Sequence, residues 1–127
     1  MKKPAVIFDM DGVIVENMHI HEKAFYELGK RHGKNLDKEF FLKTVSGSTN
    51  DRIMPNIFGD ISKEDITRFS AEKEKIYREL YLPEAKLLNG LQEFLDYLVD
   101  LKIPLAIASN APEENILFIC DVLKLDK

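Results

Sequence analysis

The string Ala5-Val6-Ile7-Phe8-Asp9-Met10-Asp11-Gly12 follows Pro4 near the start of the chain. Four apolar residues in a row, entered from a proline and ended by an acid, predict a short buried strand of a parallel sheet. Asp9 and Asp11 come next, two residues apart, and continued strand geometry would send both carboxylates to one side. Two acids buried together are costly unless a cation or a proton offsets them. The carboxyl end of a parallel strand is also where open α/β sheets bind ligands. Gly12 permits a turn close to whatever binds there. Taken alone, the same DxDG string also reads as a pair of turn-forming or helix-capping acids.

Beyond Gly12 the pattern turns helical. From Glu16 to about His32, Ile20, Ala24, Phe25 and Leu28 recur at three- and four-residue spacing, and Gly33 suits a stop. A short helix is expected from Asp37 to about Val45. The polar turn Ser46-Gly47-Ser48-Thr49-Asn50 comes next, then a helix from Asp51 to Phe58 that Pro55 weakens. Ser62 and Asp65 form a capping-box pair ahead of a charge-rich helix to about Leu82, one face of which should be wet. After a link at Pro83–Leu88, Asn89 and Gln92 form a second capping pair. They open a helix whose stripe is Leu91, Phe94, Leu95, Leu98 and Val99.

A second apolar strand spans Ile103 to Ala108 and stops at Ser109-Asn110. Asn110 is positioned to cap a last helix with Pro112 and Glu113 in its first turn and Ile116, Leu117, Ile119, Cys120 and Leu123 on its apolar side. Ser109 in isolation reads equally as a helix cap or as a hydroxyl that holds a phosphate oxygen beside backbone N–H groups. If the two strands are parallel neighbours, Asp9 and Ser109 share one rim of the sheet. Two strands alone make a poor independent core, because parallel strands are normally covered on both faces.

Composition adds bounds. The 127 residues are 45% apolar and 31% charged, with a formal charge of −4 and basic residues scattered among acidic ones. No basic field offsets a nucleic-acid backbone, so nucleic acid is not an expected partner. The single cysteine, Cys120, permits no intrachain disulfide and no thiolate cluster, and is expected as a small apolar side chain on a helix face. Four apolar residues before Asp9 are too few for a signal peptide or a membrane span; no membrane partner is expected, and the cytoplasm is the default location. His19 and His32 are expected at the surface. His19, His21 and Glu22 do not suggest a zinc site, since residues two apart diverge on a helix.

The two strand ends carry a family resemblance. FDMDGVIVEN (8–17) resembles the first motif of the haloacid dehalogenase superfamily, most of all its branch of β-phosphoglucomutases and small phosphatases. LAIASN (105–110) resembles the second motif, and IPLAIASNAPEENI (103–116) is similar to the β-phosphoglucomutase-like pattern. LKTVSGSTNDRI (42–53) resembles the substrate-proximal turn of that family's helical cap. The resemblance implies an α/β fold, a partial Rossmann-like parallel sheet with a helical cap inserted after the first strand. The core would comprise residues 1–15 and 83–127, the cap residues 16–82.

It further implies Mg²⁺-dependent phosphoryl transfer from a small phosphorylated metabolite such as a sugar phosphate. Asp9 would be the nucleophile that becomes phosphorylated. Asp11 would protonate the leaving oxygen and then activate water or an acceptor alcohol, a role that calls for a raised pKa. An Asp9 carboxylate oxygen and the Asp11 backbone carbonyl would hold Mg²⁺. Ser109 would bond the transferring phosphoryl group, and His21 matches a cap-side histidine that helps position the second aspartate. Bland surface placement on a helix is the other reading of His21. Gly47, Ser48, Asn50, Arg52 and Asn110 would contact substrate. Mutases of this branch carry a basic residue near the position of Asn50, which here is neutral, with Arg52 two places on; that favours a monoester phosphatase over a mutase.

The family also uses a later lysine and further acidic Mg²⁺ ligands. Eighteen residues follow Ser109, and Lys124 and Lys127 do not fit the lysine motif. The expectation is therefore a chain truncated after the second motif, completed by a C-terminal portion or by self-association, or else a non-catalytic remnant or subunit. A mostly helical protein with an accidental DxDG is the remaining reading.

Overall fold

The computed structural model describes residues 2–125, so Lys127 lies outside the described residues. The elements run β1 (Val6–Phe8), α1 (Met18–Arg31), α2 (Lys38–Phe40), a π-helical turn (Phe41–Val45), α3 (Asn50–Phe58), α4 (Lys63–Tyr81), a 3-10 turn (Leu82–Glu84), α5 (Leu91–Asp100), β2 (Leu105–Ile107) and α6 (Glu113–Val122). This is an α/β fold with a small parallel sheet and a helical region inserted after the first strand. Contacts divide it into two units, Met1–Met18 with Leu82–Lys127, and His19–Tyr81.

In the first unit β1 and β2 pair in parallel, with Val6, Ile7 and Phe8 opposite Leu105, Ala106 and Ile107. The pairing is extended at both ends by Val6 N–H to the Pro104 carbonyl at 3.0 Å and Ala108 N–H to the Phe8 carbonyl at 2.8 Å. After β1 the chain coils on itself around Met10, which is fully buried. The Met10 carbonyl accepts N–H groups from Val13, Ile14 and Val15 at 3.2, 2.9 and 3.3 Å. Gly12 takes φ +77° in this coil, a left-handed conformation that costs a side-chain-bearing residue about 1–2 kcal/mol. The Ile14 carbonyl accepts the Leu88 N–H at 2.8 Å and so ties the link before α5 to the first motif. Ile14, Val15, Leu91, Leu98 and Ile119 are buried with Met10.

Several expectations for this unit need correction. The strands are less buried than an apolar run suggests: Ile7 is 69% exposed, because a two-strand sheet offers no second layer to cover its side. Asn89 does not cap α5; the cap position is Gly90 in the left-handed region, with no side-chain bond. Asn110 does not cap α6, whose cap position is Pro112, again with no side-chain bond. In α5 only Leu91 and Leu98 of the expected stripe are buried, while Phe94 and Val99 stand 46% and 57% exposed. Cys120 lies on helix α6, as expected, and is half-buried.

The second unit is built from helices around Ile20, Ala24, Phe25 and Leu28 of α1, Ile53, Met54 and Ile57 of α3, and Phe69, Ile76, Tyr77 and Tyr81 of α4. Phe58 stacks on Phe69 with ring centroids 3.8 Å apart. Ser62 Oγ accepts the Asp65 N–H at 3.1 Å, the first half of the expected capping box. The expected helix at 37–45 begins as α-helix, with Asp37 capping the Phe40 N–H at 2.8 Å, and widens to a π-turn at Phe41. α3 runs three residues past Pro55, which costs it one backbone bond near its end.

Gly29 sits inside α1, where alanine normally stabilises. A Cβ there would lie 2.9 Å from Leu36 Cγ and 3.0 Å from the Lys34 carbonyl oxygen. Gly29→Ala should therefore lower stability by about 1–3 kcal/mol in urea unfolding, opposite in sign to the helix-propensity gain.

On the same helix Glu22 accepts from Lys38 Nζ and Tyr26 Oη, each at 2.6 Å. The Lys38 hydrogen bond and then the Tyr26 hydroxyl hold its carboxyl below the ordinary 4.5. A depressed acid contributes stability above the unfolded value and loses it as pH falls through the folded one. Lys38→Met should thus destabilise the protein at pH 7, and the gap to the unmodified chain should close below about pH 4 in paired urea titrations.

Candidate active site

Asp9 follows Phe8, the last paired residue of β1, and Ser109 stands two beyond Ile107, the last paired residue of β2. The parallel register therefore brings both to the same carboxyl end of the sheet. Asp9 is exposed, and its Oδ1 accepts the Met10 N–H at 2.7 Å, which fixes the carboxylate against the backbone. Asp11 is half-buried and lies where the chain makes an isolated bridge to Val15, with Gly12 N–H bonded to the Val15 carbonyl at 2.7 Å. Its Oδ1 accepts Asn17 Nδ2 at 2.6 Å, and Asn17 is fully buried. The two carboxylates thus have different surroundings, one open to solvent and one braced by a buried amide. Ser109 Oγ accepts the Ala111 N–H at 3.0 Å, which orients the hydroxyl proton away from that turn. Asn110 is exposed beside it.

Among the described residues no group of three or more His, Cys, Asp or Glu is arranged to hold a metal. The first unit does place an exposed carboxylate at Asp9 and a backbone carbonyl at Asp11 on one short turn. Two hard oxygens of this kind suit a Mg²⁺ ion that keeps several waters and shares a substrate phosphate. They do not make a closed site.

The other expected residues lie in the helical unit. Gly47 takes φ +73° in the turn after the π-helical segment, and the Ser48 N–H bonds the Val45 carbonyl at 3.0 Å. Asn50 opens α3, and Arg52 is exposed in its first turn. His21 is more than a surface residue of α1. Its ring stacks on Tyr77 at 3.9 Å and 4°, and its Nδ1 lies 2.8 Å from Lys73 Nζ. Lys73 is 3% exposed and pairs with Glu74, itself 6% exposed, at 3.0 Å. Glu74 also accepts Asn50 Nδ2 at 3.1 Å.

Reading the sequence missed Asn17, Lys73 and Glu74. Asn17 closes the quoted first motif but shows no role until the chain coils back onto Asp11. Lys73 and Glu74 look like part of a solvated face, and no periodic signal marks two adjacent charges as buried. Elsewhere in the first unit a cavity of about 530 Å³ is lined by Phe8, Leu95, Val99, Ile107 and Cys120, with other largely apolar side chains. It includes neither Asp9, Asp11 nor Ser109, and its hydrocarbon walls do not suit a phosphate.

Similarity to known proteins follows the same residues. A phosphorylated carbohydrates phosphatase of Thermotoga maritima is 26% identical over 128 residues, covering 97% of this chain and 57% of that protein. The chloroplastic 5-amino-6-(5-phospho-D-ribitylamino)uracil phosphatase of Arabidopsis thaliana is 29% identical over 112 residues, covering 87% of this chain and 30% of that protein. The chain thus spans between about a third and somewhat over half of these relatives' length. Among solved structures, a HAD hydrolase of family IA, variant 3, from Entamoeba histolytica superposes with a TM-score of 0.89 at 28% identity, covering 97% of this chain and 56% of that one. CbbY of Rhodobacter sphaeroides shares the fold at a TM-score of 0.79 and 20% identity, over 97% of this chain and 58% of its own. The haloacid dehalogenase-like hydrolase profile matches residues 6–127, from β1 through α6, and the chain belongs to that family.

Proposed function

We propose that this chain carries the nucleophile half of a Mg²⁺-dependent phosphatase acting on a small phosphate monoester such as a sugar phosphate. The observation that carries the reading is the register of the two strands, which sets Asp9 and Ser109 at one end of the sheet. Sugar-phosphate chemistry draws support from the Thermotoga maritima relative, whose name is phosphorylated carbohydrates phosphatase.

In this reading an Asp9 carboxylate oxygen attacks phosphorus. The bond to the leaving oxygen breaks as Asp11 gives that oxygen a proton, and an acyl phosphate forms on Asp9. Asp11, now charged, takes a proton from water, which attacks phosphorus and returns Asp9 and inorganic phosphate. The buried Asn17 amide holds Asp11 in one orientation for both transfers. The Ser109 hydroxyl donates to a phosphoryl oxygen. Asp9 and the Asp11 carbonyl would hold Mg²⁺, which when bound neutralises charge on the phosphoryl oxygens. The later lysine and further acidic ligands come from a C-terminal portion or a second polypeptide chain, consistent with the longer relatives. A non-catalytic remnant or subunit is the reading that remains if those groups are never supplied. A β-phosphoglucomutase-like reaction is the runner-up, favoured by similarity to that branch and disfavoured by the neutral Asn50. The expected location is the cytoplasm; no helix among the described residues is long and apolar enough to cross a membrane.

Hydrolysis of p-nitrophenyl phosphate by the intact product tests this. Turnover should require Mg²⁺ and disappear with excess EDTA. Asp9→Asn should reduce it by about 10³-fold or more, since the nucleophile itself is lost. Asn17→Ala should lower kcat by about 10-fold with little change in KM, as expected for an orienting group felt at proton transfer. Turnover that persists undiminished in Asp9→Asn would refute catalysis by this route, and none with Mg²⁺ in the unmodified protein would refute catalysis by this chain alone.

A further inference from the structure

The helical unit buries two opposite charges that are neighbours in sequence. Lys73 and Glu74 both lie on the inward side of α4, at 3% and 6% exposure. Burying an ammonium and a carboxylate is costly, and a hydrocarbon pair of similar volume would often stabilise as well or better. The pair is also poor scaffolding for a core otherwise built largely from aliphatic and aromatic side chains. What distinguishes it is what each charge reaches.

Lys73 Nζ lies 4.6 Å from the Phe25 ring centroid and donates to Glu74 Oε1 at 3.0 Å; an ammonium paired with a carboxylate in this way has three donors and no lone pair to offer. Its contact with His21 Nδ1 at 2.8 Å must then be a donation to that nitrogen, and the ring proton belongs on Nε2. The stacked Tyr77 ring fixes the plane of the imidazole. Glu74 Oε1 is the common atom, because the same oxygen accepts Asn50 Nδ2 at 3.1 Å. A carboxylate accepts only, so the Asn50 amide is turned with its NH₂ toward Glu74, leaving Oδ1 as its acceptor for anything that docks at the turn.

We propose that Glu74 is a positioning residue: one buried carboxylate oxygen locks the Asn50 amide of the 46–50 turn and, through Lys73, the imidazole of His21 into a single coupled arrangement. A ligand group that engages either end is then felt at the other, across 29 positions of sequence between His21 and Asn50. Chains of charge-assisted hydrogen bonds in a low-dielectric interior transmit such changes better than solvated contacts do. Functional relevance rests on the phosphatase reading proposed above. The coupling itself does not require turnover.

The test is side-chain NMR on the full chain, reading the His21 ring ¹⁵N and Cε1–H signals and the Asn50 side-chain amide. The unmodified protein should show His21 as the Nε2–H tautomer. Asn50→Ala should shift the His21 signals while those of His19 and His32 stay in place. Asp51→Asn, an exposed change one residue away, should leave His21 unmoved. In Glu74→Gln the Asn50 amide should move, and adding Asn50→Ala should produce no further shift at His21. The proposal is overturned if Asn50→Ala leaves His21 unshifted in a protein with an intact backbone spectrum, if Asp51→Asn shifts it equally, or if the shift survives Glu74→Gln. Should Glu74→Gln fail to fold, the comparison of Asn50→Ala with Asp51→Asn decides by itself. Absence of phosphatase turnover with the coupling intact would count against the catalytic reading and not against this one.

Discussion

Parallel pairing of Val6–Phe8 with Leu105–Ile107 is the constraint on which the first unit depends. The two segments are about a hundred residues apart, and closing such a loop costs entropy that three paired residues repay only with help. The help comes from the coil around Met10, whose carbonyl gathers three amides, and from the Leu88 amide bonded to Ile14. These contacts turn a short strand into a rigid platform. They also set the chemistry, since a shift of one residue in register would move Asp9 relative to Ser109 and reverse every side chain of the strand.

The strand-end acids and the buried pair of α4 share one feature: each polar group has a fixed partner. Asp9 is held by the adjacent amide of Met10 and Asp11 by the Asn17 amide. Lys73 and Glu74 hold each other, and Lys73 also reaches His21 while Glu74 also reaches Asn50. Preorganised polar groups do not need to reorient when charge moves, and that is how such groups act on a phosphoryl transfer.

The fold class and the positions of both strand ends were legible in the sequence because they rest on local signals, an apolar run stopped by acids and a second run stopped by Ser109-Asn110. The Ser62–Asp65 cap was legible for the same reason. The caps at Asn89 and Asn110 were misread, since a side chain able to cap competes with other backbone routes: Gly90 enters α5 from the left-handed region and Ser109 takes the Ala111 amide instead. The depth of burial was also misjudged. An apolar run predicts cover, yet cover depends on neighbouring layers that a local pattern does not encode. Asn17, Lys73 and Glu74 escaped notice because their partners are supplied by chain folding. Charged residues on a helix are normally solvated, so nothing local distinguishes Lys73 from Lys75 beside it.

The bare flank of β1 has a consequence for how the polypeptide behaves in company. Ile7 keeps 69% of its surface in water, beside a strand whose outer backbone groups have no ladder among the described residues. Such an edge is a template for adding a strand from any extended chain, including another molecule of its own kind.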